Sequence, residues 1–173
     1  MTYKNHIAYT TIDDYIQEYL NKEKKLDILD VGSQDIEGCY RDFFDYPNWK
    51  YYGLDIAPGK NVDFIVEDPY NWEVNGTSLT NTFDVIVSGQ CLEHVEFPWL
   101  TAKEMYRVCK PGGFCFISVP QVFKRHDFPV DCWRFLEHGL ISLMDKWAGF
   151  KTLRCETKAH TKNKILSFWA GRK

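Results

Sequence analysis

Apolar positions along the chain switch between two spacings. Between residues 12 and 20 they fall at Ile12, Tyr15, Ile16 and Tyr19, one face of a helix, which predicts a leading amphipathic helix. From Leu26 to Val31 the run is short and nearly continuous, and Gly32 closes it. Such a run suits a strand covered on both faces. Residues 49–56, 62–66, 83–88 and 113–119 repeat that pattern and predict four more strands. A short helix is expected over 37–45, stopped by Pro47. Another is expected over 99–109, with Leu100, Met105 and Val108 inward and Pro111-Gly112-Gly113 as its closing turn. A third is expected over 136–147, closed by Gly149. Residues 70–82 have weak periodicity around the turn signal Asn75-Gly76, and 121–135 read as a loop. Strands over 150–157 and 165–170, joined by a polar turn at Asn163, read as a closing hairpin.

Strands alternating with helices predict an α/β fold, with a mostly parallel sheet and helices on both faces. The hairpin predicts one antiparallel strand near the C-terminus. Seven strands in 173 residues fit one domain spanning 1–173.

Charge narrows the function classes. The net charge of −3 argues against a general nucleic-acid binder, so a nucleic-acid partner is not expected. The distribution is uneven, however. Residues 27–96 hold fourteen acidic and three basic side chains, whereas 151–173 hold seven basic and one acidic. The basic end reads either as a solvated hairpin or as a docking surface for an anionic substrate or RNA. The six cysteines include no C-x-x-C pair, so a zinc ribbon or thioredoxin motif is not supported and no metal site is expected. Buried, reduced thiols, a polar N-terminus and no membrane-length apolar run together predict a cytoplasmic protein.

The polar residues of interest each follow a strand. Asp30 and Gly32 close the first and Asp55 the second. Asp68 follows the third; Ser88 and Gly89 follow the fourth, with Glu93-His94 shortly after. In a doubly wound sheet these tips converge on one edge, where ligands bind. Gly32 would admit close backbone approach. Asp55 could accept two hydrogen bonds from a ribose diol, and Asp68 one from an adenine amine. Ile56 and Tyr70 could flank the flat ring. Against this, an Asp after a strand is often only a turn former or helix cap.

Several segments together resemble the class I S-adenosylmethionine-dependent methyltransferases, especially the methyltransferase type 11 group. They are Ile-Leu-Asp-Val-Gly (28–32), Tyr-Tyr-Gly-Leu-Asp-Ile (51–56), Phe-Asp-Val-Ile-Val-Ser (83–88), Leu-Glu-His (92–94) and Lys-Pro-Gly-Gly (110–113). The resemblance implies a Rossmann-like domain with S-adenosyl-L-methionine as cofactor. It implies that Asp30 and the Gly32-Ser33-Gln34 loop hold the methionine part, and that Asp55 and Ile56 hold the ribose and adenine. Asp68 would meet the adenine amine, and Ser88, Gly89 and Gln90 would lie beside the sulfonium. Two features depart from the family pattern. The first loop has Gln34 and Ile36 where later glycines are usual, which resembles a variant G-S-x-D-x-x-G loop. Pro69 removes a backbone N–H where many relatives offer one to adenine.

The segment 126–135 also resembles one in that variant group and would form a lid over the site. Asp131 and Arg134 are its candidate substrate-binding residues; the alternative is an internal ion pair that shapes the loop. His94 and His126 are the candidate catalytic bases, since a hydroxyl acceptor benefits from one near neutral pH. For His94 the alternative is a capping or packing role. The expected acceptor is a small molecule or a glycan-like compound. The rival readings are a non-catalytic S-adenosylmethionine-binding module, an RNA or protein methyltransferase, and a nicotinamide-dependent oxidoreductase. The last lacks its G-x-G-x-x-G loop here.

Overall fold

A computed structural model describes residues 6–36 and 38–173 of the chain. Its centre is a seven-stranded sheet built from β1 (Leu26–Val31), β2 (Trp49–Asp55), β3 (Phe64–Ile65), β6 (Phe83–Gly89), β7 (Cys109–Val122), β8 (Lys151–Thr161) and β9 (Lys164–Arg172). A separate two-stranded ribbon joins β4 (Glu73–Val74) to β5 (Thr77–Ser78). The strand order is β3-β2-β1-β6-β7-β9-β8, and β9 alone runs antiparallel to its neighbours. The chain therefore winds outward from β1 in one direction and from β6 in the other, and the order reverses between them.

Two apolar layers sandwich this sheet. On one side α1 (Ile7–Tyr19) buries Ile12, Tyr15 and Ile16 against Ile28, Val85 and Phe116, joined by Tyr40, Phe44 and Trp49. On the other, α2 (Pro98–Val108) and α3 (Glu137–Ile141) bury Met105, Val108 and Leu140 against Leu29, Ile86 and Trp169. Pro98 sits in the first turn of α2, where a missing N–H costs nothing. At its other end the Lys173 ammonium donates to the carbonyls of Tyr106 (2.7 Å) and Cys109 (2.8 Å). No helix among the described residues is long and apolar enough to cross a membrane.

Four elements differ from expectation. The helix predicted over 37–45 begins at Glu37, which lies outside the described residues; across the rest of that stretch only a 3-10 turn forms, at Arg41–Phe43. Tyr40 and Phe44, four apart, flank that turn and both are buried in the core without an α-helix between them. The third strand shrinks to two residues, because Asn61 takes a left-handed φ of 72° and the chain joins the sheet only beyond it. The third helix is α-wound for five residues and then continues as a π-wound segment, Ser142–Ala148, capped by Gly149 at φ 109°. Pro111-Gly112-Gly113 does not follow a helix end: α2 stops at Val108, and β7 runs through those residues.

The ribbon turns at Asn75-Gly76, with φ of 52° and 73°, as the two positive values of a type I′ hairpin require. It is stitched to α2 by Glu104, whose carboxylate accepts from the buried Trp72 N–H at 2.7 Å and from Arg107 Nε at 2.8 Å. Arg107 in turn donates to the Trp72 carbonyl and to Ser78 and Thr80. Glu104→Ala should lower unfolding free energy by about 2 kcal/mol in urea titration, since it strands a buried donor and a guanidinium together.

All six cysteines are free. They are not uniformly buried as expected: Cys132 is exposed, because it lies in the loop after β7. The basic C-terminal hairpin is partly neutralised within the fold. Arg154 pairs with Glu18 and Glu156, and Lys158 lies 3.7 Å from both Asp14 and Glu156.

Candidate functional site

The tips of β1, β2 and β6 are fastened to one another by the residues expected to carry function. Asp30 faces Gly53 on one side and Val87 on the other, beside the reversal in strand order. Its carboxyl is buried and accepts from the Tyr51 hydroxyl. Burial pushes its pKa up to about 7, against the opposing effect of that hydrogen bond. Ser88 is buried as well, and its hydroxyl donates to the Val31 carbonyl at 2.8 Å, tying β6 to β1. Gln90 follows at φ 54°; its backbone N–H donates to the Ser118 carbonyl (2.8 Å) and its side-chain amide to the Ser118 hydroxyl (3.2 Å).

The loop after β1 is bound to β2. Gly32 and Ser33 donate to the Leu54 carbonyl, and Gln34 N–H donates to Asp55 Oδ2 at 3.1 Å. Ser33 and Asn61 exchange bonds between side chain and backbone. Asp55 Oδ1 accepts from the N–H groups of Ile56 (2.8 Å) and Ala57 (3.3 Å). A carboxylate has about four acceptor positions, so Oδ2 keeps an open one and the long Ala57 bond is easily displaced. The hydroxyls of a diol can donate to those acceptor positions. Ile56 is 55% exposed beside it, an apolar surface a flat ring can cover.

Asp68 is exposed; Oδ1 accepts from Tyr70 N–H at 2.8 Å, leaving Oδ2 free of a hydrogen bond among the described residues. Pro69 offers no N–H, and that of Tyr70 is already held by Asp68. Tyr70 packs its ring near Phe97, at 5.6 Å between centroids.

A Cβ on Gly32 would overlap the Cys91 side chain, and one on Gly89 would overlap the Tyr40 ring. Their missing side chains make room for the protein's own packing.

A second group of polar side chains gathers beyond β6, under the loop after β7. That loop lies over the 3-10 turn Leu92–His94, with Cys132 N–H donating to the Glu93 carbonyl at 2.7 Å. Glu93 is fully buried, and neither carboxylate oxygen has a hydrogen-bond partner among the described residues. Burial pushes its pKa up to about 8. His94 Nε2 lies 3.8 Å from Glu93 Oε1, while His94 Nδ1 is 2.6 Å from the Val130 carbonyl. The His94 and His126 rings meet edge to face at 4.8 Å. Burial, then the neighbouring His94, hold His126 below the usual imidazole pKa.

Asp131 anchors the loop. It accepts from His126 N–H at 2.8 Å and from both terminal nitrogens of Arg134, at 2.6 and 2.7 Å. Arg134 also donates to the carbonyls of Phe123, Lys124 and Trp133. Every guanidinium N–H of Arg134 is directed at the protein, so the internal pair is present and shapes the loop. The pair and the attached hydrogen bonds hold Asp131 well below the usual carboxylate range. Sequence reasoning named Glu93 after the fourth strand but gave it no role, and gave none to Tyr51 or Cys91; the Leu-Glu-His segment flagged the place but not the burial.

Two hollows lie elsewhere on the surface. One of about 490 Å³ is lined by Asp35, Arg41, Lys60 and Asp63 among others, and one of about 680 Å³ by Trp99, Trp133, Leu136 and Trp147 among others. Neither is lined by Asp30, Asp55 or Asp68.

Strand order, antiparallel β9 and polar groups at the reversal define a Rossmann-like domain of the class I methyltransferase type. The chain belongs to the methyltransferase domain family, whose model matches residues 4–152. An uncharacterised methyltransferase of Mycobacteroides abscessus is 27% identical over 101 residues, 53% of this chain. The match spans only 38% of that relative's length. Among solved structures, 1,6-didemethyltoxoflavin-N1-methyltransferase of Burkholderia thailandensis, bound to its substrate and S-adenosylhomocysteine, superposes with a TM-score of 0.72. It is 15% identical, over 99% of this chain and 80% of its own. A methyltransferase of Methanosarcina mazei gives 0.66 at 18% identity, over 92% of this chain and 96% of its own. The [4+2]-cyclase SpnF gives 0.69 at 18% identity, over 94% and 80%. At such identities the likeness is one of fold.

Proposed function

We propose that this domain transfers the methyl group of S-adenosylmethionine to a small-molecule or glycan-like acceptor in the cytoplasm. One observation carries the reading: the Asp55 carboxylate, tied to the β1 loop through Gln34 N–H, keeps an acceptor position open beside exposed Ile56. That is the acceptor and stacking set an adenosine needs. Asp30, Gly32, Ser33 and Gln34 frame the methionine end, Asp68 receives the adenine amine through its free oxygen, and Ser88, Gly89 and Gln90 border the sulfonium. The sulfonium is already an activated leaving group, so the domain's task is to align the acceptor and exclude water.

The acceptor sits toward the loop that Asp131 and Arg134 hold in shape. His126, kept neutral at pH 7 by its lowered pKa, accepts the acceptor's proton with His94 as its neighbour. The family match and the bound S-adenosylhomocysteine of the Burkholderia enzyme support this assignment. Internal pairing of Arg154 and Lys158 favours a small acceptor over an RNA one, since less of the basic end is free to meet phosphate.

A non-methylating module is the second reading, favoured by the cyclase that shares the fold. Calorimetry with S-adenosylhomocysteine, followed by methyl transfer from labelled cofactor to a panel of small hydroxylated acceptors, separates the two. His126→Ala should slow turnover about a hundredfold while cofactor affinity holds. Unchanged turnover would remove His126 from the chemistry.

A further inference from the structure

We infer that Glu93, His94 and His126 form a binding site for a divalent transition-metal cation. One potential ligand atom from each lies within 4.8 Å of the others. Two imidazoles and one carboxylate make a donor set that zinc and iron(II) sites use, with further positions open to water or substrate.

The first support is the orphaned carboxylate. Glu93 is fully buried, yet neither oxygen accepts a hydrogen bond among the described residues. A native buried polar group without a partner calls for an ion or water at that place. Oε1 is directed at His94 Nε2, 3.8 Å away, too far for a hydrogen bond and wide enough for a bridging cation.

The second support is the orientation of the rings. His94 Nδ1 lies 2.6 Å from the Val130 carbonyl, an acceptor only, so Nδ1 carries the proton and Nε2 keeps its lone pair. His126 Nδ1 lies 3.3 Å from the Lys124 carbonyl and 3.4 Å from Asp131 Oδ2, which selects the same tautomer. Outer-sphere carbonyls and carboxylates fix metal-binding histidines in this way. Asp131 is itself locked by Arg134, so the shell around the three ligands is already built.

Ligand atoms bound at about 2.0–2.1 Å in a tetrahedron lie roughly 3.3 Å apart. The cluster must therefore contract somewhat on binding. His126, on the loop and 31% exposed, is the member free to move. The inference is independent of cofactor binding but competes with the role of His126 as a base, because a bound cation takes the lone pair which that role needs.

Cobalt(II) is the probe, titrated into chelator-stripped full chain carrying Cys132→Ser to remove the exposed thiol. Calorimetry should show one ion per chain, with weak d–d absorption and no thiolate charge-transfer band. His126→Ala and Glu93→Gln should each weaken binding by at least about tenfold. S-adenosylhomocysteine affinity and circular dichroism on the same samples report the fold. A folded chain that takes up no stoichiometric cobalt, shows a thiolate band, or binds equally well with both substitutions overturns the inference. Cobalt binding without S-adenosylhomocysteine binding leaves it standing and overturns the cofactor reading instead.

Discussion

Asp55→Ala is expected to weaken S-adenosylhomocysteine binding by about a hundredfold or more, measured by calorimetry. Hydrogen bonds to a charged group contribute about 1.5–3 kcal/mol each, and a ribose diol would donate two. Each 1.4 kcal/mol is a factor of ten. The substitution also frees Gln34, Ile56 and Ala57 N–H groups, so the β1 loop loses its tie to β2. Asp55→Asn is the control. It keeps an acceptor oxygen for the loop but loses the charge, so a loss shared by both variants belongs to the diol contact. A folded Asp55→Ala protein with unaltered affinity would dismantle the adenosine site.

The second large effect is on stability. Gly32→Ala is expected to cost about 2–5 kcal/mol in denaturant unfolding. Part is backbone strain, because φ of 74° suits glycine and costs an L-residue about 1–2 kcal/mol. The rest is overpacking of about 1–3 kcal/mol, since the new Cβ would overlap both Cβ and Sγ of Cys91. Because the overlap includes the Cys91 Cβ, a change of its rotamer alone does not relieve it. A Gly32→Ala chain as stable as the parent would show that this loop is more plastic than its packing implies.

Strands were the most legible part of the chain, because a strand covered on both faces must be apolar at nearly every position. Val85, Ile86 and Val87 are fully buried, and no helix-spaced pattern competes with them. The crossing after β1 was misleading for a physical reason. Tyr40 and Phe44 are four apart and both buried, which mimics a helical face, yet each enters the core from irregular backbone. Asp35, whose backbone N–H donates to the Lys60 carbonyl and whose side chain accepts from Gly38 N–H, fastens that backbone locally, which periodicity does not register. The strand-tip aspartates were visible because each ends an apolar run. Glu93 was named, but its burial was not visible, since a loop some forty residues later in sequence lies over it. Asp131 and Arg134 were visible as a pair; the bonds of Arg134 to three carbonyls were not.

Because only a 3-10 turn occupies the β1–β2 crossing among the described residues, no helix macrodipole is aimed at the β1 tip. A full helix starting there would supply roughly half an elementary charge on backbone N–H groups. Positive charge nearby resides instead on Arg41, paired with Asp63, and on Lys60, whose side chain is 80% exposed and paired with Asp35. Charges on solvated side chains are screened by salt. On the proposed reading, an anionic group bound at this tip would rely on counter-ions whose grip loosens as ionic strength rises.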